Sequence, residues 1–112
     1  MIEAWLRAFV LTQLVEAPIY RFALPTRLVH ALAASTITHP VVWFVFPWIS
    51  DALLVRWTYV AVAAELFAWL VEAAYFALVV KVPARRALAV SFGANAASVV
   101  IGLGLRYFFG VV

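Results

Sequence analysis

The residues of this sequence that could do chemistry are acidic side chains inside apolar segments. Glu16, Glu65 and Glu72 are three of the five acidic residues, and each lies in a stretch apolar enough to span a bilayer. A charged carboxylate in hydrocarbon is costly, so such a group takes up a proton, pairs with a partner or faces a cavity. The three glutamates therefore indicate a site for protons or cations inside a membrane.

His39 is a further ionisable residue in an apolar segment, and Pro40 follows it directly. Pro40 has no N–H to donate to the carbonyl of Thr36, and Pro18 has the same effect two residues after Glu16. Each kink would leave a free carbonyl beside an ionisable side chain, as in the broken helices of transporters. A kink whose free carbonyl is satisfied by neighbouring helices is the alternative.

Polar residues recur at helical spacing in each of the four apolar segments. Residues three, four or seven apart share a helix face, and lipid cannot satisfy such faces, so we expect them to converge on the axis of a bundle. The predicted ion or proton site comprises Glu16, His39, Glu65, Glu72, Tyr75 and Asn95. Residues predicted to pack helices through small or hydroxyl side chains are Thr12, Ser35, Thr36, Ser91, Gly93, Ser98 and Gly102. His30, near a link, is expected to be solvated.

The composition places these segments in a membrane. The 112-residue chain is 69% hydrophobic and 12% charged, whereas soluble domains contain about 45–50% apolar and about 25% charged residues. We predict an all-α integral membrane four-helix bundle, a single transmembrane domain over residues 1–112, with helices at about 3–22, 28–49, 57–80 and 87–109. The first helix is short between Arg7 and Arg21, and a surface-lying amphipathic helix is the alternative there.

Basic residues predict the orientation. The first and third links carry most of them, namely Arg21, Arg27, Lys81, Arg85 and Arg86, whereas the middle link carries only Arg56, beside Asp51. By the positive-inside rule, both termini of this multi-pass protein lie outside the cytoplasm of a cell inner (plasma) membrane. The aromatic residues Trp5, Trp48, Trp57 and Tyr107 are expected at the same outer interface.

Several classes of site lack support in the sequence. There is no cysteine for a disulfide or a thiolate metal site. No nucleophile triad, metalloprotease motif or phosphate-binding loop is present, so we predict no catalytic residues and no cofactor. A metal bound by Glu16, His39 and Glu72 is chemically allowed, but no spacing supports it, so the metal question stays open. No basic helix or aromatic platform indicates nucleic-acid binding.

The size, the four segments and a glutamate in the first of them are similar to the small multidrug resistance transporters, which are proton-coupled dimers. In this chain Glu16 precedes Ala17 and Pro18 rather than that family's small-residue helix. The family's Trp-Gly motif in the third helix is missing, and Glu65 and Glu72 have no counterpart there. The resemblance therefore serves as a physical analogy, and it assigns the chain to no family.

These observations lead to three hypotheses. The first is a small transport or channel component for protons or cations, in which Glu16 and Glu72 exchange protons, His39 is a relay or a ligand, and Tyr75 and Asn95 orient the carboxyl groups. The second is a structural or assembly subunit whose polar faces dock partner helices. The third and weakest is a lipid-modifying membrane enzyme. The expected partners are membrane lipids and either further copies of the chain or a larger membrane complex.

Overall fold

Long apolar runs separated by short charged or proline-containing links fold into four helices. The structure, a computed structural model, describes residues 2–110. Helix α1 is Ile2–Ala23, α2 is Leu28–Leu53, α3 is Trp57–Leu78 and α4 is Ala84–Phe109. The predicted all-α four-helix bundle is confirmed.

The helix ends differ from the predicted bounds where polar residues lie in terminal turns. Helix α4 begins at Ala84 rather than near 87, because Pro83 caps it and the first turn accommodates Arg85 and Arg86. Helix α2 continues to Leu53 rather than ending near 49, so it includes Ser50 and Asp51. Polar side chains in a terminal turn reach the membrane surface, so they do not end a helix.

Helices α2, α3 and α4 are long and apolar enough to cross a membrane. Helix α1 has 22 residues and carries charges at both ends. It packs along α2 on one side and α4 on the other. That α1 also spans the bilayer stays a prediction, and its length of about 33 Å at 1.5 Å per residue is sufficient.

The helices form a closed ring in the order α1, α2, α3, α4, because each packs against the next and α4 packs against α1. Helices α1 and α3 therefore face each other across the ring. The link end of the bundle contains residues 24–27 and 79–83. The open end contains the link 54–56 and both ends of the described chain. The longest dimension of the bundle is 39 Å.

A π-helical turn interrupts α2 directly after Pro40. The helix is α-helical over Leu28–Pro40, π-helical over Val41–Val45 and α-helical again over Phe46–Leu53. Because proline lacks an N–H and crowds the preceding turn, the regular hydrogen-bond pattern cannot pass through it. The sequence predicts the break, and the structure adds that a wider turn follows it.

The core lies near the link end and is built from small side chains around two aromatic rings. Tyr20 and Phe76 are fully buried, with ring centroids 4.4 Å apart. The surrounding alanines, which let the helix backbones approach, are Ala17, Ala31, Ala34, Ala73, Ala87 and Ala94. The predicted packing role of Gly93 and Gly102 is wrong within this chain, because a Cβ added at either would meet nothing within 4 Å.

We predict that Ala87→Leu destabilises the bundle. Ala87 is 0% exposed, so the added carbons must displace packed neighbours at a cost of about 1–3 kcal/mol. Thermal unfolding in detergent should show a lower midpoint. The matched control is Ala89→Leu on the same helix, because Ala89 is exposed. Equal midpoints for the two variants would contradict this packing.

Candidate functional site

Two glutamates meet inside the ring. Glu16 comes from α1 and Glu72 from α3, and they are 2% and 1% exposed. Their carboxyl groups lie within hydrogen-bonding reach of each other. The two acids with the deepest burial thus come from opposite helices and share one position on the bundle axis.

Serine hydroxyls hold the Glu16 carboxyl group from both sides. Ser35 of α2 donates to Oε1 at 2.8 Å, and Ser98 of α4 donates to Oε2 at 2.7 Å. Both serines are predicted to pack helices. The structure shows that their hydroxyls also donate hydrogen bonds to the Glu16 carboxyl oxygens, so each serine satisfies a buried polar atom and joins two helices.

The Glu72 carboxyl group accepts hydrogen bonds from three other helices. Tyr20 Oη of α1 donates to Oε1 at 2.5 Å, and Thr38 Oγ1 of α2 donates to Oε2 at 2.6 Å. Asn95 Nδ2 of α4 reaches Oε1 at 3.3 Å. These donors, like those of Glu16, are neutral.

Ser91 lies next to this pair and contacts side chains that bind Glu72. Its Oγ accepts from Tyr20 at 3.2 Å and donates to the backbone carbonyl of Trp69 at 2.9 Å. Asn95 Nδ2 also donates to the Ser91 carbonyl at 2.9 Å. Ser91 therefore joins α1, α3 and α4 and orients two of the groups that bind Glu72.

A cleft of about 420 Å³ leads from the carboxyl pair towards the open end of the bundle. Glu16, Glu72 and Asn95 line its inner part, and Trp57 and Arg106 line it near the open end. Further wall residues are Thr12, Thr38, His39, Trp43, Glu65, Ser98 and Gly102. The carboxyl pair can therefore be reached through the cleft from one end of the bundle.

Packed side chains close the bundle on the other side of the pair. Tyr20 and Phe76 lie next to the carboxyl groups, and Leu24, Val82 and Ala87 fill the space towards the link end. Because this layer is apolar and tightly packed, it gives water or ions no continuous path. The site is thus open at one end and sealed at the other.

His39 lines the cleft and is 7% exposed, but it makes no hydrogen bond to the glutamates. The rings of Trp5, Phe9 and Trp43 pack around it, and its Nδ1 has no partner among residues 2–110. The expected direct relay between His39 and the acids is absent in this arrangement. Trp5 packs against His39, and its position at the membrane interface stays a prediction.

Glu65 occupies a different environment from the other two glutamates. It lies two turns from Glu72 on α3, lines the cleft and is exposed. No side chain or backbone group of residues 2–110 donates a hydrogen bond to its carboxyl group. It belongs to the wall of the cleft rather than to the hydrogen-bonded pair.

Tyr75, predicted as part of the ion or proton site, makes its side-chain hydrogen bond to a different residue. Its Oη lies 2.8 Å from His30 Nδ1, a contact that joins α3 to α2 near the link end. His30 is accordingly half-buried rather than solvated. The tyrosine that contacts a carboxyl group of the pair is Tyr20 of α1, which donates to Glu72.

Two predicted packing threonines lie in different places. Thr12 is half-buried in the cleft wall. Thr36 is exposed, donates to the Leu32 carbonyl at 2.8 Å and accepts from Gln13 Nε2 at 3.1 Å. Gln13, which is not among the predicted packing residues, therefore joins α1 to α2 on the outside of the bundle.

Within residues 2–110, no three side chains of His, Asp or Glu lie close enough together to hold a metal ion. Glu16, His39 and Glu72 thus do not form the metal site that their chemistry would allow. Comparison with protein-family models, with curated proteins and with solved structures finds no match for this chain.

We predict that Tyr20→Phe destabilises the protein by about 1–3 kcal/mol, because the ring stays packed while a buried carboxyl oxygen loses its donor. Thermal unfolding in detergent measures the change. Tyr59→Phe is the control, since Tyr59 is exposed on α3. If both variants unfold at the wild-type temperature, the Tyr20–Glu72 hydrogen bond does not contribute to the stability of the protein.

Proposed function

We propose that this protein carries protons or cations across the membrane, with Glu16 and Glu72 as the exchanging carboxyl groups. The observation that supports this most is the position of the pair at the inner end of a cleft that opens at one end of the bundle. A purely structural hydrogen-bond network needs no such access.

The chemistry of the pair suits exchange. Two adjacent carboxylates repel each other strongly in a low-dielectric interior, so the pair holds a shared proton or a bound cation. The donors around it are neutral hydroxyl and amide groups. Because no basic side chain of residues 2–110 bonds to the pair, a mobile positive charge is required, and a cation arriving through the cleft would release the proton.

Transport also requires a second state in which the link end opens. In that state the layer containing Tyr20 and Phe76 would separate, and Glu72 would exchange its Tyr20 hydrogen bond for one to water or to the ion. Four helices enclose little volume, so a pathway between two copies of the chain, or next to a partner subunit, is easier to open than one within a single copy.

The proposed location is a cell inner membrane with the link end in the cytoplasm. Arg21, Arg27, Lys81, Arg85 and Arg86 are exposed there, as the positive-inside rule requires of a cytoplasmic surface. Both termini and the mouth of the cleft then face the outside.

The assembly hypothesis receives less support. A polar face that docks a partner helix should present unpaired groups on the outside of the bundle. Here Ser35, Thr38, Ser91, Asn95 and Ser98 instead pair with groups of the same chain, so a partner is not needed to satisfy them. Exposed Glu65 is the exception.

We predict that Glu16→Gln and Glu72→Gln each reduce flux to the background of empty liposomes. Glutamine keeps the shape of the side chain and most of its hydrogen bonds but cannot exchange a proton. The measurement is ion-dependent proton movement in proteoliposomes with an internal pH dye, tested with sodium, potassium and organic ammonium ions.

The matched control is Asp51→Asn, which removes an exposed acid outside the cleft and should leave flux unchanged. Wild-type flux in both glutamine variants, with all proteins folded, would exclude carboxyl exchange as the mechanism.

We predict that the link end faces the cytoplasm. Single-cysteine labelling tests this orientation, because the chain contains no cysteine of its own. In intact cells a membrane-impermeant maleimide should label Leu53→Cys, near the open end. Ala84→Cys, at the link end, should be labelled only after permeabilisation. Both positions are exposed, so the reverse pattern would place the link end outside.

A further inference from the structure

A second cavity lies next to the cleft on the outside of the bundle. It is a groove of about 410 Å³ between α3 and α4, and its walls include Val62, Leu66, Phe92 and Val100. Glu65, Asn95 and Val99 line both the groove and the cleft. An apolar groove on the outer surface of the bundle therefore shares a wall with the polar cavity that contains the carboxyl pair.

Glu65 lies at this junction and needs a partner. Its side chain is exposed between helices that are apolar enough to span a membrane. It makes no hydrogen bond to residues 2–110. A carboxyl group in that position is costly against lipid, and a positively charged group that also donates hydrogen bonds would lower the cost.

The cleft wall contains a second unsatisfied group. His39 is more than nine-tenths buried, lines the cleft, and its Nδ1 has no partner among the described residues. Buried nitrogens are normally paired, and Nδ1 donates or accepts according to the tautomer of the ring, so this one indicates a missing hydrogen-bond partner. The cleft wall thus contains a polar group that the described residues do not satisfy.

We propose that the ligand is a long-chain primary amine, with its ammonium group at the junction between Glu65 and the carboxyl pair and its alkyl chain in the groove between α3 and α4. This inference rests on the proposed function and specifies its substrate class. An amine of this kind would enter laterally from the lipid rather than from water.

Size and chemistry separate this ligand from the other cations. A water molecule takes up about 30 Å³ in the liquid, so a cleft of about 420 Å³ is far larger than a bare metal ion needs. No three-residue metal cluster exists within residues 2–110. A quaternary ammonium carries the charge but has no N–H to donate, so it would leave the Glu65 oxygens without a hydrogen bond.

The test is calorimetric titration of the protein in phosphatidylcholine nanodiscs, with empty nanodiscs as the blank. The ligands are dodecylamine, dodecyltrimethylammonium and ethylamine. Dodecylamine should bind saturably and at least about tenfold more tightly than either of the others, which corresponds to about 1.4 kcal/mol. Equal affinity for dodecylamine and the quaternary analogue, or no saturable binding above the blank, would overturn the proposal.

Two variants locate the site. Glu65→Gln should weaken dodecylamine binding about tenfold, as expected for the loss of one partly desolvated charge pair. Ala96→Phe should weaken it by filling the groove that Ala96 lines. The matched controls are Asp51→Asn and Ala89→Phe, at exposed positions outside both cavities. Unchanged affinity in both test variants would place any amine elsewhere.

The outcome is separable from that of the proposed function. Flux that depends on Glu16 and Glu72 without amine binding would remove this inference and keep the transport role. Saturable, Glu65-dependent amine binding without any flux would keep the site and remove the transport role.

Discussion

The rest of the structure depends on keeping two carboxyl groups together in an apolar bundle. Glu16 and Glu72 face each other, and neutral donors from α1, α2 and α4 satisfy their oxygens. Each of those hydrogen bonds fixes the rotation of the helix that supplies the donor. The acids therefore set how the helices face one another, while apolar contacts alone would permit many rotations. Burying the two carboxyl groups costs free energy, and in return their hydrogen bonds select one set of helix rotations.

The asymmetry of the bundle follows from the sizes of its side chains. Towards the link end, alanines surround Tyr20 and Phe76 and let the helices close around two rings. Towards the open end, larger aromatic residues such as Trp43 and Trp57 line a cavity instead of filling the axis. One short sequence thus builds a sealed half and an accessible half, with the ionisable groups at the boundary. Along the bundle axis, that arrangement gives the carboxyl pair access from the open end and not from the link end.

Much of this arrangement could be predicted from the sequence. The apolar segments give the helices, and the spacing of Glu16, Ser35, Glu72 and Asn95 indicates faces that must meet. Periodicity could not decide which tyrosine joins them, because Tyr20 and Tyr75 both lie near an acid along their helices. That choice depends on helix rotation, which is set by packing across the ring. Glycine content was similarly misleading, because alanines make the close contacts here and Gly93 faces outward.

The π turn after Pro40 has a mechanical consequence. A turn closed by longer hydrogen-bonded loops holds its backbone less firmly than a regular α-helical one. The π turn thus connects Phe46–Leu53, the part of α2 nearest the open end, to the rest of the helix through a flexible joint. The rest of the helix is held in place because Ser35 and Thr38 donate hydrogen bonds to the glutamates. Trp43 lies in that joint, and Pro47 just beyond it also lines the cavity. Bending there would alter the width of the mouth while leaving the carboxyl layer in place.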